Sequence, residues 1–76
     1  MNNKRRKQLK QVLQMLNEAQ KIIENVATEE EESLSNLPES LQDSEMAETL
    51  NDNISEMEES VTSIEEAISN LESVIG

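Results

Sequence analysis

The chain has no cysteine, no histidine and no aromatic residue, and only one proline and one glycine among its 76 residues. Each absence excludes something. Without Cys there is no disulfide and no thiolate metal site, and without His the commonest acid-base group and metal ligand are missing. Without Phe, Tyr or Trp there are no large aromatic side chains to bury, and any cationic or stacking contact to a nucleotide would have to come from residues 4–10 and 21. Bases are scarce too, with six Lys and Arg against seventeen Asp and Glu, for a net charge of −11. No apolar run approaches the roughly 18 residues that a membrane span needs. Met1 to Lys10 is basic, as the start of a signal peptide would be, but polar and apolar residues alternate after it, so none is expected.

What is present is helical periodicity. Ala47, Leu50, Ile54, Met57, Val61, Ile64, Ile68, Leu71 and Ile75 follow one another at spacings of three and four without a break, which predicts one long helix with a continuous apolar seam. Three heptads within it are near copies: Ile54-Ser-Glu-Met57-Glu, Val61-Thr-Ser-Ile64-Glu and Ile68-Ser-Asn-Leu71-Glu. Glu58, Glu65 and Glu72 flank the seam on one side, and Asn53, Ser60, Ala67 and Val74 on the other. An earlier stretch repeats the spacing at Leu9, Val12, Leu16, Ala19, Ile23 and Val26. Here Leu13, Met15, Ile22 and Ala27 widen the seam into an arc too broad for one neighbour. The first helix is therefore expected to touch at least two others, one of them from another chain.

Between the helices, Asn36-Leu37-Pro38-Glu39 marks the break, because proline cannot donate within a helix and restricts the residue before it. Asn36 and Glu39 are spaced to cap one short turn reaching Gln42, and Ser44, followed by Glu45, is the expected N-cap of the second helix. The expected fold is all-α, a single domain over 1–76: an antiparallel hairpin of helices 4–33 and 44–75, each about 45 Å long, dimerising into a four-helix bundle. A parallel coiled coil through the second helix is the competing arrangement, since Ile54, Val61 and Ile68 at one core position suit it. The residues expected in the core or dimer contact are Leu9, Val12, Leu13, Leu16, Ile22, Ile23, Val26, Leu50, Ile54, Met57, Val61, Ile64, Ile68 and Leu71.

All six cations (Lys4, Arg5, Arg6, Lys7, Lys10 and Lys21) precede Ile22, and no base follows. Antiparallel pairing would set the basic start beside Glu65, Glu66 and Glu72 and gather carboxylates at the opposite tip. Glu29, Glu30, Glu31, Glu32, Glu39, Asp43, Glu45 and Glu48 are the candidate partner-binding residues there, suited to a protein with a basic surface. Lys4, Arg5, Arg6 and Lys7 are a candidate anion or nucleic-acid contact, although the acidic balance argues against nucleic acid as the main partner. Consecutive glutamates point different ways around a helix and make no calcium loop; neither Glu58-Glu59 nor Glu65-Glu66 has a pocket to tune it for acid-base work. No catalytic residue, metal or cofactor is expected, and no enzyme.

The order of a basic start, an acidic run, the connector Pro38-Glu39-Ser40-Leu41-Gln42-Asp43-Ser44-Glu45 and acidic-aliphatic heptads resembles short helical proteins of phages, prophages and mobile elements of Gram-positive bacteria. It departs from them in lacking an aromatic residue before the connector and in having Met46 where they often have Arg. The resemblance implies a setting, the cytoplasm of a bacterial host cell, and no settled activity. In that setting, stoichiometric binding that inhibits a host defence or DNA-processing protein is the leading expectation. A sponge holding a nucleotide signal between subunits, a purely structural assembly element and nucleic-acid binding through the basic start are the alternatives.

Overall fold

Both expected helices form, and each begins where a side chain can satisfy its first free amides. The structure, a computed structural model, describes residues 1–76. Helix α1 spans Asn3–Ser35, and Asn2 caps it by accepting the Arg5 amide at 2.9 Å. Helix α2 spans Glu45–Ile75, and the Ser44 hydroxyl accepts the Ala47 amide at 3.3 Å. Glu45 and Glu48 lie in its first turn, where the helix dipole favours carboxylates. The acidic run of α1 has the opposite placement, near a C-terminus, yet the helix continues through it to Ser35.

A connector of nine residues joins them, held by its own hydrogen bonds. Asn36 ends α1 through its amide, which donates to the Glu32 carbonyl at 2.9 Å. This corrects the expectation that Asn36 caps the following turn. That turn is a 3-10 segment, Glu39–Leu41, preceded by Pro38 with no side-chain cap. The Leu41 amide donates to the Pro38 carbonyl at 2.8 Å, and the Ser44 hydroxyl to the Leu41 carbonyl at 2.6 Å. Gln42 reaches back, its amide nitrogen 2.7 Å from the Leu37 carbonyl and 3.4 Å from that of Leu34. It thereby satisfies carbonyls that the end of α1 leaves free. Pro38, Leu41, Gln42 and Ser44 thus each have a structural task in reversing the chain.

The hairpin is antiparallel, closed at its base by the Arg6 Nε, which donates to the Ile75 carbonyl at 3.3 Å. Every residue of the α2 seam from Ala47 to Ile75 is buried or half-buried, so in the hairpin α1 occupies the seam that a parallel coiled coil through α2 would use. On α1 the phase differs from the expected one. The inner row is Leu9, Leu13, Leu16, Gln20, Ile23, Ala27, Glu30 and Leu34, again at three-four spacing. Val12 and Val26, expected on the seam, point away from α2, as do Met15 and Ile22. The broad arc permits either phase. The observed one wins because Leu34 and Leu37 extend it into the connector, whereas the row through Val12 and Val26 runs into Glu29 and Ser33.

The inner row tolerates two polar residues because both lie at its wet edge. Half-buried Gln20 donates to Glu24 Oε1 of its own helix at 2.9 Å. Only Ala27, Ala47 and Ile54 are buried outright. The exposed surface is 5825 Å² for 8.6 kDa, where a compact protein of that mass exposes about 4,700 Å². The radius of gyration is 17.4 Å and the backbone extends 59 × 14 × 13 Å, against a radius near 11 Å for a compact chain of this length.

With so thin a core, single truncations should be felt. Ile54→Ala should cost about 2–4 kcal/mol, most of the net stability available to a chain of this size, and thermal melts followed by circular dichroism would read it directly. Ser44→Ala removes the α2 cap and should cost about 1 kcal/mol, lowering the melting temperature by about 4–8 °C. An unchanged melt would show that the cap does not hold the connector.

Candidate functional site

The hairpin presents three surfaces distinct in chemistry: the acidic tip, the basic base, and one lateral face of α1. At the tip, Glu29, Glu31, Glu32, Glu39, Asp43, Glu45 and Glu48 are exposed and Glu30 is half-buried. No cation reaches them, since the six bases lie on α1 no further along than Lys21. The connector lifts Glu39 and Asp43 to the apex, while the two helices bring Glu29 to Glu32 and Glu45 to Glu48 up from either side. None of these carboxylates accepts a hydrogen bond from a lysine or arginine, so their full charge faces solvent.

Two shallow grooves run along the junction of the helices, one on each side. The first, of about 480 Å³, is lined by Val26, Glu30, Asn53, Glu56, Met57 and Ser60. The second, of about 360 Å³, has Ala27, Met57 and Val61 at its floor and Glu24, Glu31, Glu58 and Glu65 among its walls. Met57 underlies both, as a seam residue must. Glu58 and Glu65 share the second groove, but no three carboxylates converge closely enough to hold a metal ion. Thr28 and Thr62, beside them, turn their hydroxyls onto the Glu24 and Glu58 carbonyls of their own helices.

At the base, Lys4, Arg5, Lys7 and Lys10 are exposed and Arg6 is half-buried. The expected compensation by Glu65, Glu66 and Glu72 takes a different form. Arg6 bonds to the last turn of α2 through the Ile75 carbonyl, and to Asn3 Oδ1 at 3.5 Å, and no cation hydrogen-bonds to a carboxylate. A cation is well placed at a helix C-terminus, where carbonyls lack partners and the dipole is negative. Of the four basic residues proposed for anion contact, Arg6 is therefore engaged within the fold and Lys4, Arg5 and Lys7 are free.

The lateral face is the surface that sequence reasoning identified only in part. Val12, Met15, Ala19, Ile22 and Val26 form an outer row at three-four spacing, and the four larger side chains are 37, 65, 62 and 43 % exposed in the same order. The legible signal was the width of the apolar arc; what it could not give was which half α2 would take. Among the core or dimer candidates, Leu9, Leu13, Leu16, Ile23, Leu50, Ile54, Met57, Val61, Ile64, Ile68 and Leu71 face the other helix, while Val12, Ile22 and Val26 lie on this outer row. Gln42, whose amide closes the connector, was missed because a glutamine in a turn carries no distinctive spacing.

No helix of the chain is long and apolar enough to cross a membrane. Compared with protein-family models, curated proteins and solved structures, the chain matches none.

Proposed function

We propose that this protein is a stoichiometric binding module, a dimer of helical hairpins that engages a basic protein surface through its acidic tip. The observation that carries the reading is the set of eight carboxylates around the connector, seven of them exposed, with no cation among them. A folded chain gains nothing from such crowding, which self-repulsion opposes. A basic groove shaped for nucleic acid is the surface that would gain most from it, both in rate of encounter and in choice of partner. In the phage or mobile-element setting implied by the resemblance, a host defence or DNA-processing protein in the bacterial cytoplasm has such a groove. The reading requires no catalysis and no cofactor. The dimer is supported by the surplus surface of the hairpin and by the uncovered row on α1.

Binding of this kind should depend on charge. With a partner captured from host lysate, the substitutions Glu39→Gln, Asp43→Asn, Glu45→Gln and Glu48→Gln together should weaken affinity by about 30-fold or more, at roughly 0.5–1 kcal/mol for each exposed pair lost. Raising salt from about 0.1 to 0.5 M, which shortens the screening length to a few ångströms, should weaken the parent complex and barely affect the variant. Capture indifferent to both changes would assign the interaction to another surface.

A further inference from the structure

α1 lies against α2 along one row and leaves Val12, Met15, Ile22 and Val26 exposed, with Ala19 half-buried between them, on a face about 100° further around the helix. Beside it on the same side of the hairpin, α2 offers Asn53 and Ser60, which share the first groove with Val26. We infer that the outer row is covered by the same row of a second copy, the two α1 helices lying antiparallel about a two-fold axis at Ala19. The inference rests on the dimer reading above and adds its face and its direction.

The surplus surface leaves room for a dimer, and apolar matching and charge select this arrangement. The exposed surface exceeds that of a compact protein of equal mass by about 1,100 Å², more than the roughly 800 Å² each partner gives to a standard interface. Two hairpins can stack face to face with two-fold symmetry in two ways. In one, α1 lies over the partner's α2, so the outer row meets Asn53 and Ser60, and both acidic tips fall at the same end. In the other, α1 lies over the partner's α1. The row from Val12 to Val26 is centred on Ala19, so this stacking pairs every member with another member, and the small side chain at the axis lets the backbones approach.

The same symmetry sets residues 4–10 opposite the partner's residues 28–34. Lys4 and Arg5, which continue the outer row toward the base and have no carboxylate partner within their own chain, then lie near Glu29 and Glu30 of the other copy, which continue it toward the tip. Opposite charges meet at both ends of the bundle. In the alternative stacking the tips of two chains, each of net charge −11, repel at one end. Complementary charge of this kind decides direction more than strength. Lys4 and Arg5 with Glu29 and Glu30 therefore act as an orientation code, with the apolar row supplying the adhesion.

Three measurements test this. Light scattering should give twice the chain mass of 8.6 kDa, and Ile22→Glu should weaken association at least 100-fold while the hairpin stays helical. A dimer unaffected by that substitution overturns the face. Spin labels on Ser40→Cys, at the tip, should stand about as far apart as the molecule is long, 59 Å. Labels on Glu18→Cys, beside the axis, should lie within about 25 Å, since packed helix axes stand about 8–10 Å apart. A dimer whose tip labels lie close together overturns the antiparallel stacking and leaves the dimer reading intact; a monomer at every concentration overturns both.

Should Ile22→Glu fail to fold, charge exchange provides an independent test. One variant carries Lys4→Glu and Arg5→Glu, and the other Glu29→Lys and Glu30→Lys. Each alone should lose the antiparallel stacking, associating at least tenfold more weakly than the parent or bringing its Ser40→Cys labels together, and the mixture should regain it. A mixture that does not regain it while the parent dimerises overturns the pairing of basic start with acidic run.

Discussion

Aliphatic contact along a single seam holds the two helices together, because the chain has no other means of doing so. There is no disulfide to shorten the unfolded chain, no aromatic ring to bury a large area, and no cation-carboxylate hydrogen bond between the helices. Each turn contributes one or two Leu, Ile, Val or Met side chains to a strip one residue deep. Only Ala27, Ala47 and Ile54 are shielded fully enough to count as interior. The long, thin shape follows from this, since a strip has no third layer to wrap around. The incompleteness of α1 follows as well: two apolar rows on one helix need two neighbours, and the hairpin supplies one.

Charge is arranged with equal economy. The bases sit at one end of the long axis and the densest carboxylates at the other, and the fold separates them instead of pairing them. Within one chain the only compensation is between Arg6 and the carbonyl end of α2, a matching of cation to helix terminus that uses no acidic side chain. The tip and the basic start therefore both remain available to something outside the chain. Two copies laid antiparallel would use part of that charge and leave the apex, with Glu39 and Asp43, still exposed to a further partner.

The second helix was legible in the sequence in its inner face and its Ser44 cap, and the inner face of the first was not, for a definite physical reason. α2 has one apolar row, so its period leaves a single choice of inner face, and Ser44 announces its start. α1 has two rows, and the choice between them depends on what happens beyond the helix. Leu34 and Leu37 carry one row into the connector, while Glu29 and Ser33 end the other. Gln20 and Glu30 concealed the answer by placing polar residues on the inner row. The connector was legible as a break at Pro38 but not as a mechanism, because the bonds of Gln42 to the Leu34 and Leu37 carbonyls and the capping of α1 by the Asn36 amide leave no periodic trace. The acidic tip was legible as composition, and its isolation from every base followed once the hairpin direction was known.

The self-contained connector also sets the order in which the hairpin assembles. Its hydrogen bonds span at most eight residues, so reversing the chain requires closing only a short loop, at small entropic cost. Once reversed, the helices can join from Leu34 and Ala47 outward, each turn making the next contact local. The Arg6 to Ile75 contact, 69 residues apart in the chain, is the last to form and the first to open. Opening of this molecule thus begins at its basic end and closing finishes there, and the acidic apex is the part of the chain whose shape is settled earliest and lost latest.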